Sequence, residues 1–169
     1  MFERRVLGVD PGVARLGLAV VEGNGRSARL LWAGAVSTQA DAEEADRLRR
    51  LCEAVRETID AHRPGSMALE RLSWNRNQVS ALAVARATGA VMVVASEAGV
   101  PVAEYGPNEV KIAVTGMGNA DKAQVRRALA TVHGLREVPK QADAADAVAV
   151  ALTHLVGARM RELARLGSR

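Results

Sequence analysis

Four carboxylates in this chain stand where the surrounding sequence asks for core residues. Asp10 ends the apolar run Leu7-Gly8-Val9-Asp10, and Pro11-Gly12 stops the strand at once, so its side chain projects from a strand end. Glu70 ends Met67-Ala68-Leu69-Glu70 in the same manner, and in a mixed sheet its strand can lie beside the first. Asp143 and Asp146 sit three apart among alanines in Gln141-Ala142-Asp143-Ala144-Ala145-Asp146-Ala147, on one face of a helix. Each acid has an ordinary reading of its own: a turn residue at Asp10, a helix cap at Asp143, a first-turn acid at Asp146. Together they are harder to place so simply. A buried, ionised carboxylate costs several kcal/mol unless neutralised, and none of the four carries a compensating base within its motif. Like charges brought together require a cation, and an oxygen-only donor set suits magnesium or manganese rather than zinc.

A second group of residues points at anions. Thr115-Gly116-Met117-Gly118-Asn119 is a glycine-rich stretch leading into a helix, whose backbone amides can cradle a phosphate with Lys111 and Lys122 alongside. Taken alone, the stretch is better explained as a plain capped loop. The formal charge of +4 and pI of about 10.0, with arginine far outnumbering Lys111, Lys122 and Lys140, fit a polyanionic partner but also a merely basic protein. Serine and cysteine offer no triad arrangement, and His62, His133 and His154 read as helix-end or surface residues. The single cysteine, Cys52, excludes an internal disulfide and a cysteine-based zinc site; its spacing with Leu48, Leu51 and Val55 places it in the core, and a reducing cytoplasm is expected.

The elements that must position these residues follow from periodicity. At 169 residues and 49% hydrophobic content, the chain reads as one domain over 1–169, with the tail from about residue 160 fraying. Arg5 to Asp10, Gly17 to Glu22 and Arg29 to Val36 form an antiparallel meander, separated by Pro11-Gly12 and Gly23-Asn24-Gly25. An amphipathic helix spans Asp41 to His62, ended by Arg63-Pro64-Gly65. Met67 to Leu72, Gln78 to Ala98 and Val100 to Tyr105 read as strand, helix and strand, which implies parallel pairing through a right-handed crossover. Short helices at Asn108 to Val114 and Asp121 to Thr131 precede a long one from about Ala142 to Leu166. The stretch Val79 to Val102 is nearly continuous apolar sequence, yet Arg86, Gly89, Glu97 and Gly99 and its alanine content make it a core helix rather than a membrane span. Its small residues Ala81, Ala83, Ala85, Ala87, Gly89 and Ala90 allow one face on the sheet and another on a twin chain, hence a homodimer through about 78–98.

Five motifs in order now carry a resemblance: Gly8-Val9-Asp10-Pro11-Gly12, Leu69-Glu70, Val110-Lys111 with Val114-Thr115-Gly116 and Gly118, Asp121-Lys122 with Gln124-Val125, and Ala142-Asp143-Ala144-Ala145-Asp146-Ala147. From about Val6 to Leu155 the chain resembles the RuvC family of Holliday-junction resolvases. The resemblance implies an α/β, ribonuclease-H-like fold, a five-stranded mixed sheet flanked by helices, and a homodimer that nicks opposing strands of a four-way DNA junction. It assigns catalysis and metal binding to Asp10, Glu70, Asp143 and Asp146, with two Mg2+ or Mn2+ ions per site, in an all-carboxylate version, since some members carry histidine at Asp143. It makes Lys111 and Lys122 DNA-contacting bases, with Thr115, Gly116, Gly118 and Asn119 beside them. After Glu70 the family commonly places a stacking aromatic; here Ser73 holds that position and Trp74 follows, with Asn75 and Arg76 completing the expected DNA-binding loop. The branch-migration motor complex RuvA-RuvB is the further partner carried by the resemblance. Rival readings are a non-catalytic junction binder, another ribonuclease-H-like nuclease, and an actin-like ATPase, for which 169 residues leave little room for a second lobe.

Overall fold

The computed structural model describes residues 4–24, 27–71, 78–135 and 137–167. Five strands form one mixed sheet in the order β3-β2-β1-β4-β5. The meander comprises β1 (Arg4–Asp10), β2 (Arg15–Gly23) and β3 (Ala28–Ser37), paired antiparallel; β4 (Ser66–Glu70) and β5 (Val102–Tyr105) add parallel to β1. The helices are α1 (Glu44–His62), α2 (Gln78–Glu97), α3 (Pro107–Thr115), α4 (Lys122–Thr131) and α5 (Ala142–Gly167). Element boundaries differ from expectation by a few residues at most; α1 starts at Glu44 rather than Asp41 and β5 at Val102 rather than Val100. Among the described residues no helix is long and apolar enough to cross a membrane.

Strand alternation splits the core in two. Leu7 and Val9 of β1, Leu16, Leu18 and Val20 of β2, and Met67 and Leu69 of β4 bury against α1 and α2. Val6, Ala19, Val21 and Ala68 face the other way, against α5 with α3 and α4 behind it. Cys52 is only partly buried at the edge of the first cluster, so it packs against the core rather than filling it.

The α5 side is unusual in how little separates helix from sheet. A Cβ on Gly8 would fall 2.0 Å from the Ala147 carbonyl oxygen, and one on Gly17 would fall 2.0 Å from the Asp143 carbonyl oxygen. Helix backbone therefore rests directly on strand backbone at two points, and Ala144, Ala147 and Ala151 are fully buried in the contact. From residue 144 to 152 every α5 residue is buried except Asp146, which is intermediate. A nearly all-apolar helix surface is what a central core helix needs, since sheet, α3 and α4 surround it.

Because a methyl group at either glycine would displace α5 bodily, Gly8→Ala and Gly17→Ala should each destabilise the fold by at least about 1 to 3 kcal/mol. Thermal unfolding followed by circular dichroism should show both midpoints lowered by roughly 2 to 4 °C per kcal/mol. Wild-type midpoints in both variants would mean that α5 tolerates displacement.

Candidate active site

The same side-chain parity that divides the core aims the strand acids. Asp10 follows Val6 and Gly8 on the α5 side of β1, and Glu70 follows Ala68 on the α5 side of β4. The two strands run parallel with Val9 opposite Leu69, so Asp10 and Glu70 leave adjacent strand ends next to one another. Gly17, which seats the Asp143 backbone, is the partner of Asp10 across β1 and β2. The glycine contact thus sets Asp143 above Asp10, and Asp146 follows about one helical turn later. All four acids line one cavity of about 450 Å3, together with Lys111 from α3, Lys122 from α4 and Arg71 immediately after β4.

Crowding is legible in the acid-base balance. Burial raises the Asp10 carboxyl most, followed by the charge of Glu70, the charge of Asp146, a side-chain hydrogen bond with Glu70 and the charge of Asp143. Every one of these influences acts upward, from an ordinary 3.8 to about 8. No base within the motifs compensates the acids, but two of them find one on another element. Arg15 Nε lies 2.8 Å from Asp143 Oδ2, and Lys122 Nζ lies 2.8 Å from Asp146 Oδ2. Neither base belongs to its partner's motif: Arg15 opens β2 and Lys122 opens α4. The Asp146 hydrogen bond is the largest influence raising the Lys122 ammonium, with desolvation acting against it.

As placed, no three acid, histidine or cysteine side chains among the described residues stand close enough to hold an ion. Asp143 and Asp146 engage their bases instead. The donor chemistry nonetheless fits a hard divalent cation: the oxygens belong to carboxylates, and burial together with the charges of Glu70, Asp146 and Asp143 disfavours the ionised form of Asp10.

Around the acids, the anion-facing residues divide. Lys111 and Lys122 reach the cavity, whereas Thr115, Gly116, Gly118 and Asn119 are not among its described lining residues. Thr115 is the last residue of α3; its hydroxyl donates to the Lys111 carbonyl at 2.7 Å and accepts from Met117 N at 3.0 Å. Gly116 caps α3 with φ 78° and donates to the Ile112 carbonyl. The expectation that the start of α4 cradles a phosphate is corrected by Asp121, whose carboxylate accepts from Gln124 N at 2.8 Å while Gln124 Oε1 accepts from Asp121 N at 2.8 Å. This capping box sets a carboxylate where an anion was expected. Ser73, Trp74, Asn75 and Arg76 lie outside the described residues.

The histidines also find their places. His154 Nδ1 meets the Tyr105 hydroxyl at 2.9 Å, His133 Nε2 meets the Val114 carbonyl at 2.9 Å, and His62 stacks on Trp32 at 5.6 Å. None of the three is among the described lining residues of the cavity. Sequence reading missed Arg15, Arg71 and Gly17. Arg71 Nη2 lies 3.1 Å from Glu109 Oε2, which also accepts from Gly106 N at 2.6 Å, tying the end of β4 to the start of α3. The glycine inside β2 was a usable signal, because strand glycines mark close backbone approach.

Comparison with known proteins agrees with this geometry. The model of the family described as crossover junction endodeoxyribonuclease RuvC matches residues 6–154. The crossover junction endodeoxyribonuclease RuvC of Frankia alni is 48% identical over 152 residues, covering 89% of this chain and 77% of its own. RuvC of T. thermophilus, solved in complex with a Holliday junction substrate, is 42% identical with a TM-score of 0.88, over 94% of this chain and 96% of that one. The yeast mitochondrial Holliday junction resolvase, at 12% identity and a TM-score of 0.68 over 94% of this chain and 82% of that one, shares the fold. The architecture is accordingly an α/β, ribonuclease-H-like one. The family model over residues 6–154, the extended sequence identity and the structural likeness agree, and the chain belongs to the RuvC family of crossover junction endodeoxyribonucleases.

Proposed function

We propose that this chain is a structure-specific, metal-dependent endodeoxyribonuclease that resolves four-way DNA junctions by paired symmetric nicks, in recombination and repair. The observation that carries this reading is the gathering of Asp10, Glu70, Asp143 and Asp146 at one cavity in a chain of this family. These four residues would hold two divalent cations, magnesium or manganese, which when bound would supply an activated water and neutralise charge on the phosphate and the leaving 3′ oxygen. Lys111, Lys122 and Arg71 present positive charge to the phosphate from three sides of the cavity. Thr115, Gly116, Gly118 and Asn119 form the outer DNA-contacting loop. Trp74 stacks on a base of the opened junction, with Ser73, Asn75 and Arg76 beside it. The protein works in the cytoplasm, with RuvA-RuvB as the motor that delivers the junction.

Paired nicks on opposing strands need two sites related by symmetry, and α2 supplies the surface for a homodimer. Leu82 is 54% and Val93 57% exposed on its outward face. A Cβ on Gly89 between them would meet nothing within 4 Å, so no described residue requires a glycine there. Close packing by a second α2 would.

Nicking of a synthetic four-way junction should require added Mg2+ or Mn2+ and disappear with Asp10→Asn while junction binding in a gel shift is retained. Persistent cleavage by that variant would remove the proposed site; in the same assay Trp74→Ala should lose more activity than Ser73→Ala. Sedimentation at micromolar concentration should give a dimer that Val93→Asp converts to a monomer.

The Asp10 carboxyl gives a third test. Between about pH 4 and 8 the metal-free folded chain keeps a proton on Asp10 that the unfolded chain has released, so stability falls as pH rises through this window. Each pH unit is worth at most about 1.4 kcal/mol from one proton. Thermal unfolding in chelator should therefore show a falling midpoint from pH 5 to 8, a flatter profile for Asp10→Asn, and recovery at pH 8 with Mg2+. A profile unchanged by Asp10→Asn would refute the assignment of the buried proton.

A further inference from the structure

We infer that Arg15 is a positioning residue for the metal-binding acids: it fixes the carboxylate of Asp143 through one oxygen and leaves the other for the cation. The inference rests on the metal-site reading above and adds a residue that no motif contains. Its basis is a juxtaposition at the start of β2. Arg15 and Gly17 share the α5-facing side of that strand, since they are two residues apart and Gly17 abuts the Asp143 carbonyl. One short segment of β2 thus seats Asp143 twice. Gly17 receives its backbone, where a Cβ would fall 2.0 Å from the carbonyl oxygen, and Arg15 Nε meets Oδ2 of its side chain at 2.8 Å.

The form of the ion pair matters. Contact runs from Nε to Oδ2, and the Arg15 side chain remains 56% exposed while that of Asp143 is 27% exposed. An exposed surface pair of this kind contributes little to folding, so stability alone does not account for it. What it does is restrict rotation of a carboxylate that stands above Asp10 and beside Asp146. Carboxylates that ligate metals are themselves held by such outer hydrogen bonds, whose loss typically costs 10- to 100-fold in metal affinity. Lys122, by contrast, lies inside the cavity and has a phosphate as an alternative partner for its bond to Asp146. Arg15 is not among the described lining residues, so a phosphate held in the cavity does not compete directly for its bond to Asp143.

Titration of the full-length protein with Mn2+ alone, followed by calorimetry, tests this without reference to cleavage. Arg15→Ala should weaken Mn2+ binding by roughly tenfold or more while the unfolding midpoint stays near wild type, and Arg15→Lys should restore part of the affinity. Unchanged or tighter Mn2+ binding by a folded Arg15→Ala would overturn the inference, since Arg15 would then only neutralise Asp143. If Arg15→Ala fails to fold, Arg15→Gln takes its place with the same expected loss. Failure of wild-type protein to bind Mn2+ at all would instead refute the underlying metal-site reading.

Discussion

The contact on which the rest of the molecule depends is backbone against backbone: the first turns of α5 lying directly on β1 and β2 at Gly8 and Gly17. A helix normally stands off a sheet because side chains separate the two. Removing the Cβ at two points lets α5 sink, and the small residues Ala144, Ala147 and Ala151 keep the approach close along the first three turns. Once sunk, the helix is wrapped by the sheet on one side and by α3 and α4 on the other, which explains its almost unbroken burial from 144 to 152. Those covering helices in turn bring Lys111 and Lys122 to the cavity. Acids and bases are thus positioned by one packing event.

The site so formed is electrostatically costly. Four carboxylates at one cavity repel each other, and low solvation at Asp10 deepens the penalty. The fold offsets part of it from outside the motifs, with Arg15 on Asp143 and Lys122 on Asp146, both at 2.8 Å. Among the described residues no ion pair of this kind engages Asp10, and burial with the neighbouring acids pushes its carboxyl up to about 8 in the metal-free chain. Strain of this kind concentrated at one cavity, in a molecule whose remaining core obeys simple alternation, marks where packing has been subordinated to function.

Much of this was readable from sequence, and the reason is periodicity. β1, β4 and α5 each announce their acid by breaking an apolar pattern of period two or 3.6, so Asp10, Glu70, Asp143 and Asp146 stood out before any coordinates. The parallel pairing of β4 with β5 followed from the crossover rule, whereas β4 beside β1 was no more than what a mixed sheet allows. Arg15 was hidden because an exposed arginine at a strand start has no periodic signature; only the register of β2 against β1 and its seat under α5 reveal its partner. Asp121 misled for the opposite reason. A glycine-rich stretch before a helix has the same local pattern whether the helix start receives an anion or is capped by its own aspartate, and the Asp121–Gln124 box decides it through side-chain geometry.

The two pairs of acids also differ in kind. Asp10 and Glu70 leave adjacent parallel strands, where ladder hydrogen bonds and burial on both faces fix their backbones. Asp143 and Asp146 hang from a helix, and each is engaged by a base on a neighbouring element. A site with one rigid edge and one tethered edge can accept cations without moving the sheet, since Asp143 is already held toward the cavity by Arg15 and only the Asp146 side chain, once released from Lys122, has to reorient. The two tethers then have unequal consequences. Releasing Lys122 from Asp146 frees a positive charge inside the cavity, at the place where a phosphate must be held, whereas Arg15 stays with Asp143 and preserves its orientation. On the proposed reading, the substrate that takes Lys122 would free Asp146 for the metal, and DNA binding and cation binding would reinforce one another by linkage.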